Sequence, residues 1–385
     1  MKTSLSLITK SRVSRSNIGQ RLAFQLLALT AALWLAQPCA AIPGQWEFTG
    51  SLSVGRNQHT ATLLQSGKVL VAGGGDNGGV IQASAELYDP ATGIWTLTGN
   101  LHTARVAHTA TLLRDGRVLV VGGVNSIFER VASAELYDPV TGTWTVTGNL
   151  NNARYGHTAT LLLDGTVLVA WGEGADTRPL GTSELYDPAT GTWRLVANDH
   201  SRFAHTATLL RDGKVLSAGG IIPQTFGVAT ARLYDSATRL WSRTGRLNKG
   251  RFQHTATLLS DGKVLVAGGD RWHNTTIATS EIYDPATGVW TYTGRAKVRR
   301  DVHTATLLDD GTVLVAGGKD NRDVVQASAE IYHPANENWT VTGGLNAARY
   351  FHTATLLPDG RVLVTGGVRE NSIVLASAEL YEPEE

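Results

Sequence analysis

Seven arginines and seven histidines stand in a fixed relation along this chain. They are Arg56 with His59, Arg105 with His108, Arg154 with His157, Arg202 with His205, Arg251 with His254, Arg300 with His303, and Arg349 with His352. Each His opens the segment His-Thr-Ala-Thr-Leu-Leu. A guanidinium is a planar fork of donors matched to carboxylates, so a ring of seven would suit an acidic peptide or an acidic sugar. In four cases an aromatic follows the Arg directly, as Tyr155, Phe203, Phe252 and Tyr350. A competing use is internal. Glu86, Glu135, Glu184, Glu281, Glu330 and Glu379 recur at the same step, and each would tie down one Arg. The His series invites a metal, but two imidazole nitrogens on one zinc lie only about 3.4 Å apart, whereas packed sheets stand ~10 Å apart. Each His is therefore expected to bond backbone, with no metal site and no cofactor.

Departures from the repeat mark the other candidates. Trp171-Gly172 replaces a Gly-Gly pair, and Asp270, Arg271, Trp272 and His273 form a distinctive segment. Trp171, Asp270, Arg271, Trp272 and His273, with the seven Arg, are the expected ligand contacts. Arg232 stands in the Glu position of the fourth unit, Ser236 for Pro and Arg239 for Gly. If the Arg and Glu series pair, that unit carries an unpaired cation and is locally weaker. No residue is assigned a catalytic role. No nucleophile elbow, P-loop or dinucleotide fingerprint occurs in a fitting strand-to-helix context, and the Asp187 to Trp193 turn does not have sialidase Asp-box spacing.

The elements that must position these residues repeat every 49 residues, once 48. Trp46, Trp95, Trp144, Trp193, Trp241, Trp290 and Trp339 keep the same step. One unit reads as four short strands. In the second, His108 to Leu113 is followed by an Arg114-Asp115-Gly116 turn. Val118 to Val121 then ends at Gly122-Gly123, Ala134 to Tyr137 ends in an Asp-Pro turn, and Thr143 to Thr147 carries the Trp. Four antiparallel strands repeated at this period predict a β-propeller.

The Gly-Gly pair, the Tyr of the Tyr-Asp-Pro turn and the Trp seven residues later, as in Tyr137 and Trp144, resemble the kelch repeat over about residues 46 to 383. That resemblance implies an all-β, seven-bladed kelch-type propeller. It also implies that adaptor-like gripping of acidic peptides by loop-face arginines is open to this chain. Galactose-oxidase-like copper chemistry would need a Tyr cross-linked to Cys, and the single Cys, Cys39, lies in the leader. Kelch enzymes acting on sialic acid without a metal stay open, because Arg, Glu and His suffice for mutarotation.

Strand parity divides the surface. The Asp-Gly and Asp-Pro turns share one face. The loops after Gly-Gly (75–82, 124–131, 173–182, 221–230, 270–279, 319–326 and 368–375) share the other with the inter-blade links, and only these loops vary. Variable loops on a rigid scaffold are the expected recognition surface. The chain stops before a final Trp strand, and the segment around Trp46 is expected to supply it, closing the ring.

Lys2, Lys10, Arg12, Arg15 and Arg21 precede an uncharged run from Leu22 to Ala36, which reads as an export signal over residues 1–41 or an uncleaved anchor. The domains are then 1–41, a signal peptide, and 42–385, the propeller. The 34 basic residues less these five leave 29 against 33 acidic, so nucleic acid is not an expected partner. The mature chain would have no disulfide and no membrane span. We expect an exported monomeric scaffold (periplasmic, cell-surface or secreted) for a protein or carbohydrate ligand. The alternatives are a sialic acid epimerase or mutarotase and a surface-layer component.

Overall fold

The computed structural model describes residues 44–222, 226–272 and 275–383. The signal segment and His273 lie outside the described residues. Seven four-stranded antiparallel sheets follow one another. In blade 1 the strands are Thr60–Leu63, Val69–Ala72, Ala85–Asp89 and Ile94–Leu97. The first strand of every blade contacts the first strands of both neighbours, including that of blade 1 with that of blade 7, so the ring is closed.

Burial explains why each strand reads as it does. The second strand of each blade, such as Val118–Val121, is buried along its whole length and is therefore apolar at consecutive positions rather than alternating, with Ser217 and Thr365 the exceptions. The first strands, Thr-Ala-Thr-Leu throughout, are half-buried along the hub. The fourth strands expose their outer residues and turn one Trp inward, as Trp144 in Thr143–Val146. The core lies between blades: Leu70 and Ala72 of blade 1 pack against Val118, Val120, Tyr137 and Trp144 of blade 2. Each blade buries its faces only against its neighbours, so an open ring would leave two faces wet.

Closure is made by the N-terminal strand. Trp46–Thr49 pairs antiparallel with Ala378–Tyr381, Trp46 opposite Tyr381 and Thr49 opposite Ala378. Trp46 Nε1 donates to Gly343 O at 2.8 Å, repeating the bond from Trp95 Nε1 to Gly50 O at 2.7 Å. The seventh blade is thus assembled from both ends of the described chain.

Glycine is required where blades approach. At Gly122, with φ of 64°, a Cβ would stand 2.6 Å from Arg154 O and 2.8 Å from the His157 ring of the next blade. Trp171 occupies this slot in blade 3 at φ of 57°. That is left-handed backbone which a side chain adopts only at a cost of order 1 kcal/mol.

Candidate functional site: the loop face and channel mouth

The Arg series lies inside the blades. Arg56, Arg105, Arg154, Arg202, Arg251, Arg300 and Arg349 are at most 1% exposed. In blade 2, Arg105 Nη1 donates to Gly122 O at 2.8 Å and Ser133 O at 3.1 Å, while Nη2 donates to Ser133 Oγ at 3.0 Å and Glu135 Oε1 at 2.7 Å. The same Arg to Glu bond recurs in blades 1, 3, 5, 6 and 7, at 2.5 to 2.9 Å. The second Glu oxygen caps a backbone N–H of the link from the preceding blade, such as His102 N at 2.7 Å. Each pair thus fastens three segments together. The expectation that these seven arginines face a ligand is corrected: burial keeps them from the surface, and in six blades both terminal nitrogens are already bonded.

The His series is also internal, and its partner differs from the backbone group expected. His108 Nε2 is 3.1 Å from Thr60 Oγ1 of the preceding blade, and the same bond runs through His157, His205, His254, His303 and His352 before His59 closes it on Thr353. All seven Nδ1 atoms are buried without a hydrogen-bond partner, so the Nε2 to Thr bond is the one each ring makes to a neighbouring side chain. Burial first, then the neighbouring Arg charge, lowers His59, His157 and His303 to about 3 and the other four well below the usual value. The belt is neutral and structural.

At the channel mouth, the residue after each Arg bridges to the residue after the Gly-Gly pair of its own blade. Asn57 meets Gly75, Val106 meets Val124, Phe203 meets Ile221, Phe252 meets Asp270, Asp301 meets Lys319 and Tyr350 meets Val368. The next residues, including Gln58, Ala107, Ala204, Gln253, Val302 and Phe351, have φ between 45° and 54°. Their N–H groups donate from blade to blade, as Val302 N to Gln253 O at 3.2 Å, joining neighbouring blades by backbone around most of the channel.

This mouth gathers acids whose role the sequence reading missed. Asp301 is 2% exposed with Oδ1 unpartnered, and burial, opposed by Lys319 and reinforced by Asp270, pushes its carboxyl up to about 7. Glu173 pairs with Arg130 and accepts from Tyr155 OH at 3.2 Å. The available signal was that Asp301 breaks a position otherwise held by Asn, Val and aromatics.

Trp171, expected as a ligand contact, is fully buried and is likewise corrected. Its bulk turns into the gap between blades 3 and 4, stacked on Trp241 at 4.4 Å and edge-on to His205 at 4.9 Å, with the Arg202 guanidinium 4.6 Å above it. Asp270 is 4% exposed and uses Oδ1 to accept the Trp272 N–H at 3.0 Å, so it shapes the loop rather than presenting a free carboxylate. Arg271 and Trp272 are exposed, Trp272 by 52%. They line a cleft of about 940 Å³ between blades 4 and 5, together with Phe226, Asn248, Thr275 and the exposed Arg246, a residue the sequence reading passed over. Within the cleft Trp272 packs on Phe226, and the two guanidinium groups on its walls are matched to a carboxylate-bearing group.

The Kelch motif model matches residues 59–102, 105–151 and 251–294, which are blades 1, 2 and 5. The chain is a kelch-repeat propeller protein. Its interior Arg, Glu and His residues are the fastenings of that repeat. Among solved structures, a fungal alcohol oxidase "with catalytic diversity among the AA5 family, in complex with copper" resembles this kelch propeller with a TM-score of 0.73 and 21% identity, over 89% of this chain and 77% of its own. At that identity the likeness concerns the fold alone. No curated protein matches the sequence. The donor set needed for copper does not fit: among the described residues no three His, Cys, Asp or Glu gather as ligands, and the seven belt imidazoles point at threonines.

Proposed function

We propose that this kelch propeller is an exported binding scaffold that recognises a carboxylate-bearing ligand, an acidic sugar or an acidic peptide, in the cleft between blades 4 and 5. The observation that carries this reading is that Arg246, Arg271 and Trp272 line one cleft on the variable face, with no acidic side chain among the described residues of the lining. A recognition role also agrees with the economy of the scaffold, whose repeated polar residues are nearly all spent on internal bonds. Thermal shift of residues 42–385 against sialic acids, uronic acids, neutral sugars and acidic peptides tests it. The reading expects a shift with the acidic members that the double variant Arg271→Ala, Trp272→Ala removes. A response to neutral sugars alone, or one that survives the double variant, refutes it. Export and a monomeric state belong to the same proposal and are checked by cell fractionation and by light scattering.

Asp301 favours a second reading, metal-free sugar mutarotation at the channel mouth. A carboxyl held near neutrality beside Lys319 suits general acid–base transfer of a proton. Anomer exchange of sialic acid followed by NMR should then be accelerated by wild type and not by Asp301→Asn. Equal rates for the two would remove this reading and leave the binding scaffold.

A further inference from the structure

Blade 4 is where the repeated ion pair is broken, and the break leaves charge in the interior. In the other six blades one buried Arg meets one buried Glu. Here Arg232 occupies the Glu position on the third strand, opposite Ser217 and Arg243. Its Nε donates to Asp199 Oδ2 at 2.6 Å, and Asp199 Oδ1 accepts His200 N at 2.7 Å. Asp199 therefore takes over the capping of the link that Glu performs elsewhere and neutralises Arg232. Arg202 has no carboxylate bonded to it, and the acid whose charge reaches it, Asp199, is already paired with Arg232. Arg202 is 0% exposed, and its Nη1 donates to Gly219 O at 3.0 Å and Thr230 O at 3.1 Å. Its Nε and Nη2 have no partner.

The surrounding groups are also unmet. Trp171 Nε1 is buried with no acceptor, and Ser217 Oγ is buried with no partner. Ser217 replaces the Val that faces Glu in other blades, as Val120 faces Glu135. Cross-strand partners share a face, so its hydroxyl lies on the side where the carboxylate is missing. Guanidinium and indole N–H groups donate only, and a hydroxyl completes the set. Water would satisfy such donors but would leave the buried charge uncompensated, which is the costly part. The Trp171 face offsets some of that charge.

We propose that the Arg202, Trp171 and Ser217 cluster binds a small monovalent anion of the halide class, which stands in for the carboxylate of the other six blades. Arg202 is the anchoring cation, and the Glu to Arg exchange at position 232 removes the carboxylate that meets the Arg in the other six blades. The like charge of Arg232 acts in the same sense, since together with burial it lowers Arg202 to about 10, and an anion would relieve both.

The test is the melting temperature of the full chain in sodium chloride, bromide or nitrate against sodium gluconate at equal ionic strength. Wild type should gain stability saturably with chloride or bromide. Arg232→Glu, which rebuilds the repeat's pair, should melt higher in gluconate and lose the anion dependence. Arg202→Met, which removes the cation, should lose the dependence whatever its own stability. Crystals soaked in bromide should show an anomalous peak within hydrogen-bond distance of Arg202. Equal melting in all salts, or a halide response that persists in both variants, overturns the proposal. So does a soaked crystal with no bromide beside Arg202, which would leave the Trp171 face and the Asp199 charge as its compensation.

Discussion

Lowering the pH from 7.5 to 5.5 should destabilise this propeller by an amount comparable to its whole stability, through the Thr-His belt. Each belt His is neutral in the folded state, with His59, His157 and His303 titrating only at about 3. In the unfolded chain each titrates at about 6.5. The unfolded state therefore binds more protons below 6.5, and stability is complete above that value and lost progressively as pH falls toward 3. At pH 5.5 one such His costs about 1.4 kcal/mol, and seven cost about 10 kcal/mol, against a typical total of about 5–15 kcal/mol. Asp301 acts in the opposite sense. With its folded pKa at about 7 it returns about 2 kcal/mol over the same interval. The net loss is about 8 kcal/mol. Urea denaturation followed by Trp fluorescence at pH 7.5, 6.5 and 5.5 measures it, and the pH slope near 5.5 should correspond to a net uptake of about five protons on unfolding, the seven His taking up about six and Asp301 releasing about one. His157→Gln should lower that slope by one. If stability at pH 5.5 stays within about 2 kcal/mol of its value at 7.5, the belt imidazoles are not held neutral, and the argument from burial fails.

Other perturbations separate the scaffold's fastenings. Removing residues 44–52 strips the outer strand from blade 7 with the buried Trp46 and Leu52; the melting temperature should fall by roughly 10 °C or more, and an unchanged midpoint would contradict ring closure. Glu281→Ala leaves Arg251 buried without its 2.6 Å partner and should cost about 3–5 kcal/mol by chemical denaturation, where a loss under about 1 kcal/mol would show that the pairs are incidental. Asp301→Asn should stabilise at pH 8 by up to about 4 kcal/mol and not at pH 4, because the raised folded pKa imposes its penalty between about 4 and 7 and holds it above; equal effects at the two pH values would refute this. Tyr234 OH is buried without a partner, and burial pushes it up to about 12. Val196 stands where the other blades have the Thr that bonds this Tyr, as Thr147 bonds Tyr186 at 2.8 Å. Val196→Thr should gain about 1 kcal/mol, and a denaturation midpoint that does not rise would show that the hydroxyl is met another way.

The architecture was legible because its causes are local and repeated. A Gly that must admit the next blade, an Asp-Gly turn and a second strand wet on neither face impose nearly the same residues on every blade, with single departures such as Trp171 and Ser66, so blade number, strand order and the closing role of Trp46 follow from spacing alone. The place of a polar side chain within that period does not follow. Arg105 and Arg271 are the same residue type in loop-face segments, yet Arg105 is sealed under Gly122 O and Glu135 while Arg271 lies open on the cleft. Spacing could suggest that Arg and Glu pair, but it could not say that the pair is sealed from solvent. That depends on the curvature that stacks one blade on the next, a property of the whole ring.

The sequence by itself determined the repeat, the all-β character and the irregular third and fourth units, because each rests on turn chemistry and burial within one blade. Only the tertiary structure decided which charges are fastenings and which face solvent, since desolvation is set by neighbouring blades. It turned the His series into a belt, because Thr60 and His108 meet only when two hub strands converge. It also brought Arg246 beside Arg271 and Trp272. Those residues come from different strand connections and share a cleft only where blades 4 and 5 adjoin.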